Sequence, residues 1–145
     1  MRVGWIVLAA VTVFLGIDAA TSSMLQLTDC EIGVYSQQVP NLEACHASIW
    51  SYFGGTVVPV VAVPVAVCLI PVLIPRQNVS WLAVAALFVL SVVGFFAGFM
   101  SSEPTWVGLY GFFWPLVLLA ILVAAVASLV TPRRSGPTPE NVPRG

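Results

Sequence analysis

The chain has 145 residues, of which 59% are hydrophobic and only 8% charged, with a formal net charge of −1. A soluble domain carries about a quarter charged residues, so a soluble fold could not cover this much apolar surface, whereas lipid removes the need for a polar exterior. Near-neutral charge and scattered basic residues also exclude a nucleic-acid surface.

The charged residues, in order, draw a topology: Arg2, Asp18, Asp29, Glu31, Glu43, Arg76, Glu103, Arg133, Arg134, Glu140 and Arg144. Between them lie uncharged stretches at 3–17, 44–75, 77–102 and 104–132. A membrane-spanning helix needs about 20 apolar residues. The last three stretches qualify outright, and the first qualifies if Asp18 is tolerated inside it. Four spans, at about 3–27, 53–75, 79–100 and 105–130, place every arginine on one side. The positive-inside rule then puts both termini in the cytoplasm and an outer loop, 28–52, on the far side of the plasma membrane. The predicted fold class is an all-α integral membrane protein: a four-transmembrane-helix bundle followed by a polar, Pro-rich cytoplasmic tail at 132–145, expected to be disordered. All basic residues being arginine suggests a GC-rich, bacterial source.

Span one opens with Met1-Arg2 and an apolar run, and small residues near Ala19 and Ala20 offer a competing reading as a cleaved signal peptide. The bulky or charged residues three before those cuts, Ile17 and Asp18, speak for an intact helix. Thr12, Gly16 and Ala20 form a small-residue stripe suited to close helix approach. Asp18 lies nearly opposite that stripe, about 22 Å into the bilayer from Val3. An intramembrane carboxylate is costly there and should face protein or water. Thr21 and Ser22 stand within reach as donors. Asp18 is the candidate functional or interface residue, for ion coupling or for pairing with a partner.

In the outer loop, Cys30 and Cys45 lie on the oxidising side, where disulfides persist. They would close a 16-residue loop and stabilise it by about 3 kcal/mol on the chain-entropy model. No CxxC occurs, so a structural bond is expected rather than a catalytic pair. His46 with Asp29, Glu31 and Glu43 is a poor zinc set once the cysteines are bonded, and no metal or other cofactor is expected. Pro40-Asn41 signals a helix start. Leu42, Cys45, Ile49, Trp50 and Phe53 follow at helical spacing, predicting one short amphipathic helix over 42–53 at the outer interface, ended by Gly54-Gly55.

Span two contains Pro59, Pro64 and Pro71, expected to kink it, since each deletes a backbone donor. Pro64 and Pro71 share a face with Cys68, which reads as a buried small hydrophobe. Arg76-Gln77-Asn78 reads as a tight turn. Span three carries Ser91, Gly94, Gly98 and Ser102 on one face, including a GxxxG that supports close crossing within the bundle or in a homodimer. Trp106 and Tyr110 are expected to anchor span four at the outer interface, and its inner half presents Ala120, Ala124, Ala127 and Ser128.

Four spans with a cysteine-bearing first outer loop are similar in layout to claudin-like and tetraspanin-like proteins, and the size and early acid to small multidrug transporters. The loop has neither a Gly-Leu-Trp-Cys-Cys signature nor a Cys-Cys-Gly, and span one has no central glutamate, so no family is assigned. No nucleophile–base set and no phosphate loop occurs. The expected function is a non-enzymatic accessory or scaffolding subunit of a larger membrane complex, with lipid and other membrane subunits or a second copy as partners. The alternative is a small transporter or ion-coupled channel using Asp18 and the proline-rich span; an outer-loop oxidoreductase is a third reading.

Overall fold

The computed structural model describes residues 2–24, 40–100 and 105–130. In order, the helices are α1 (Arg2–Thr21), α2 (Leu42–His46), α3 (Ile49–Phe53), α4 (Val57–Leu73), α5 (Gln77–Met100) and α6 (Trp114–Val130), with 3-10 turns at Gly54–Thr56 and Gly108–Phe113. No strand occurs among the described residues beyond an isolated bridge between Ser23 and Ser48. Four helical stretches are long and apolar enough to cross a membrane: Arg2–Thr21, Ile49–Leu73, Gln77–Met100 and Gly108–Val130. The chain is thus an all-helical, multi-pass membrane protein.

The spans form a closed ring in which α1 packs on α4, α4 on α5, α5 on α6 and α6 back on α1. Side-chain neighbours give the directions. Thr12 meets Cys68 and Gly16 meets Val61, so α1 and α4 are antiparallel. Gln77 meets Ser128 and Gly94 meets Gly111, which fixes the same sense for α5 and α6. Arg2, Arg76 and Val130 therefore share one end of the bundle, and Asp18, Glu43 and His46 lie toward the other.

Local sequence sets where each element starts and stops. α1 ends at Thr21, earlier than the expected 27, because its last carbonyls are taken by side chains. The Thr21 hydroxyl donates to the carbonyls of Ile17 and Asp18 (3.0 Å each), and the Ser22 hydroxyl to that of Asp18 at 2.8 Å. The chain then runs beside residues 47–49, with Met24 N donating to Ala47 O and Ile49 N to Ser22 O, both at 2.9 Å. This short pairing breaks the single helix expected over 42–53 into two. Asn41 caps α2 through Ala44 N at 2.8 Å, as its position predicts. Ala47 and Ser48 then turn extended, and Ser48 caps α3 through Ser51 N at 3.2 Å. Gly54 follows with φ +55°, a conformation glycine reaches without a Cβ penalty.

The prolines divide by position. Pro64 and Pro71 are buried within α4 on the same face as Cys68. Pro59 departs from the expected kink site. It is exposed in the first turn of α4, where a missing N–H leaves no bond unmade. Pro115 acts the same way at the start of α6. An α-helix running straight through would need its N–H for the Gly111 carbonyl; instead the chain is 3-10 through Phe113 and α-helical from Trp114. α5 begins at Gln77 rather than 79, because the Gln77 side chain donates to the Ser128 hydroxyl and so belongs to the helix pair, not to the turn.

The closest crossing joins α5 to the 3-10 turn. A Cβ built on Gly94 would stand 2.6 Å from the Tyr110 carbonyl carbon and nearer still to the Gly111 nitrogen, so backbone lies directly on backbone. Gly94 of the GxxxG is thus spent inside the bundle against Gly111, while Gly98 stays exposed beside Gly108. Tyr110 is buried at this crossing, not placed as the expected interfacial anchor, because its backbone is held against Gly94. Gly98 is looser: a Cβ there would meet Gly108 Cα at 3.8 Å, an ordinary contact. Gly94→Ala is expected to destabilise the bundle by about 1–3 kcal/mol, as overpacking does, and Gly98→Ala by less than about 0.5 kcal/mol. Thermal unfolding in detergent checks this; equal shifts for the two variants would contradict the crossing.

Candidate functional site

Two regions carry the residues that the sequence singles out: the exposed face of α1 around Asp18, and the bundle end around Cys45. Both depend on how α1 divides its surface. Leu8, Thr12, Gly16 and Ala20 are buried, and a Cβ on Gly16 would already lie 2.6 Å from both Val61 methyls. That is the expected small-residue stripe, used up by α4. Val3, Val7, Ala10, Phe14, Ile17, Asp18 and Thr21 are exposed on the other side.

Asp18 therefore points away from the bundle interior. It stands three residues from the end of α1 and about 24 Å along the helix from Arg2. Thr21 and Ser22 do not hold its carboxylate as expected. Their hydroxyls back-bond instead to main-chain carbonyls three and four residues earlier, which also accept N–H groups of the last turn, as Ser and Thr do in helices. No other side chain among the described residues bonds to the carboxylate. It lies in the last turn of α1, at the negative end of the helix dipole.

Beside this face runs an apolar groove of about 490 Å³ between α1 and α4, floored by Gly16 and Val61, flanked by Ile17 and Val58 and closed outward by Trp50. A second groove of about 520 Å³ lies between α5 and α6, walled by Phe88, Phe95, Phe96 and Trp114, with Ser91 and Gly111 beneath.

At the bundle end nearest Asp18, Cys45 is fully buried while Glu43 and His46 are exposed on α2. Cys30, Asp29 and Glu31 lie outside the described residues, as do Ser102 and the tail from 131. Among the described residues no three His, Cys, Asp or Glu side chains gather as a metal site. Cys68 is a free, buried thiol in mid-span, 3.7 Å from the Thr12 hydroxyl, which itself donates to Leu8 O at 2.7 Å.

The interior holds little else that is polar. Thr12, Ser80 and Ser91 are the buried polar residues, and the indole N–H of the fully buried Trp5 has no hydrogen-bond partner among the described residues. Around them pack Leu8, Val60, Leu87, Leu116 and Ala120. Sequence reasoning missed four positioning groups. Ser48 as a second cap carries only the weak signal of Ala-Ser. Gly108 and Gly111 are legible as a small-residue pair facing Gly94 once the crossing is known. Pro115 is legible as a helix start. The Gln77–Ser128 bond carries no local signal at all.

No known protein family, curated protein or solved structure matches this chain. Because no side chain among the described residues bonds to the Asp18 carboxylate, Asp18→Asn should shift the unfolding free energy of the isolated protein by no more than about 0.5 kcal/mol. A large drop in detergent melting temperature would show instead that Asp18 is a structural group of the bundle.

Proposed function

We propose that this chain is a non-enzymatic accessory or scaffolding subunit of a larger membrane complex, seated in the cytoplasmic membrane of a bacterium with both termini inside. One observation carries the proposal: the sole acidic residue within a span, Asp18, is on the exposed face of α1 and not in the interior. A transporter built on that carboxylate would need it to line a path through the bundle. The interior near it is packed with apolar side chains, whereas the face it occupies is open to a neighbour. An intramembrane carboxylate that its own chain leaves unpaired is a group that a second subunit can satisfy.

The orientation is supported by Arg2 and Arg76 sharing the bundle end from which the chain continues past Val130 toward Arg133 and Arg134. On the opposite end, Trp50 and Tyr52 of α3 are exposed, which suits amphipathic rings that favour the headgroup region. A bond between Cys30 and Cys45 belongs to the same proposal. Cys45 does not stand as a free thiol, whereas Cys68 does, and Cys30 is the remaining cysteine in the sequence. With the loop closed in this way, α2 and α3 would present a rigid outer surface, which loses less entropy on docking than a mobile one.

Membrane-impermeant labelling of single introduced cysteines checks the orientation: position 36 should label from outside and position 78 should not. Alkylation of the unaltered chain before and after reduction should gain two modified cysteines, leaving Cys68 as the thiol that needs no reductant. Extraction of native membranes in mild detergent should give a particle larger than one chain. A stable lone chain, or a reconstituted chain that moves ions unaided, would defeat the accessory-subunit reading.

A further inference from the structure

We propose that the exposed face of α1 seats one transmembrane helix of a different membrane protein, and that this helix carries a lysine or arginine at the depth of Asp18. This rests on the accessory-subunit reading and names the partner's chemistry. The face has the spacing of a helix-pairing seam. Val3, Val7, Ala10, Phe14, Ile17 and Thr21 recur at alternating steps of four and three residues, and all are exposed, Val3 at 73% and Phe14 at 70%. Steps of that kind keep one stripe facing a neighbour along the whole helix. Asp18 falls immediately beside the stripe, at the flanking position where charges select the partner helix. On the other flank, Val13 and Ala20 border the apolar groove between α1 and α4, whose exposed rim includes Val58 and Trp50.

Three occupants compete for this face, and Asp18 separates them. Lipid tails match the apolar stripe but offer nothing to a carboxylate. A second copy of the chain, paired α1 to α1 in the same orientation, would set two Asp18 carboxylates at one depth, where like charges repel. It could bring no lysine or arginine to them. Arg2 lies about 24 Å away along the helix, Arg76 shares that far end, and the remaining arginines follow Val130. A helix from another chain with a basic residue in its outer third satisfies both the stripe and the charge. The cation also offsets the negative end of the α1 dipole, which the Asp18 charge otherwise reinforces.

The test uses the full chain in its native membrane, with a photoreactive residue at Phe14 and, as a control, at Phe99 on the exposed face of α5. Phe14 should form an adduct with one membrane protein whose spanning helix, identified by peptide sequencing, holds Lys or Arg at the matching depth. Asp18→Asn should lower that adduct yield by about tenfold, while Asp18→Glu should retain it. Asp18→Arg should abolish it, and replacing the partner's basic residue by Asp should restore it. An adduct with a second copy, a partner helix without a cation, or a yield indifferent to Asp18→Asn would overturn the proposal. A large particle captured through Phe99 and not Phe14 would overturn the seam alone and leave the accessory-subunit reading standing. A lone chain yielding only lipid adducts would overturn both.

Discussion

In hydrocarbon every backbone N–H and C=O must find a partner within the protein, and most features of this chain follow from that constraint. Four apolar stretches become helices because a helix satisfies its own backbone. The same constraint governs their ends. Thr21 and Ser22 hydroxyls cover the last carbonyls of α1, Asn41 and Ser48 cover the first donors of α2 and α3, and Thr105 receives the Gly108 N–H through both its carbonyl and its hydroxyl. Prolines fall where they cost least or are buried. Pro59 and Pro115 sit in first turns, where no donor is needed, and Pro64 and Pro71 lie against protein rather than lipid.

Lipid also withdraws the usual force that drives apolar surfaces together, so the helices must associate through close packing. Gly16 lets Val61 settle on α1, Gly94 lets the 3-10 backbone settle on α5, and Ala120, Ala124 and Ala127 line the buried side of α6. Two polar ties add register: Thr12 beside Cys68 between α1 and α4, and Gln77 on Ser128 between α5 and α6. Each joins antiparallel neighbours, and in so dry an interior a few such contacts suffice to fix how the helices mesh.

What this packing leaves over bears on function. The small-residue stripe of α1 and Gly94 of α5 are consumed within the bundle, so they are not spare surfaces for a partner. Asp18 remains outside that accounting. The fold places a carboxylate on the exposed face of a candidate span with no salt-bridge partner among the described residues, and the two lateral grooves lie on either side of the ring rather than through it. A closed, apolar interior and an unpaired peripheral charge together favour a part in an assembly over a conduit.

The sequence by itself determined the membrane setting, the number of spans and the buried stripes, because these follow from length, charge spacing and helical periodicity, all of them local. Thr12, Gly16 and Ala20, and the pairing of Pro64 and Pro71 with Cys68, were legible on one helix taken alone. Tertiary structure decided whatever depended on two elements meeting. The bridge from Ser22–Met24 to Ala47–Ile49 splits the helix that periodicity predicts over 42–53. The approach of Gly111 to Gly94 buries Tyr110, whose ring composition alone would assign to the interface. The turn of the Thr21 and Ser22 hydroxyls toward main-chain carbonyls leaves Asp18 unpartnered. In each case a contact remote in sequence, or a main-chain carbonyl one turn back, offered a better partner than the one periodicity or reach implied.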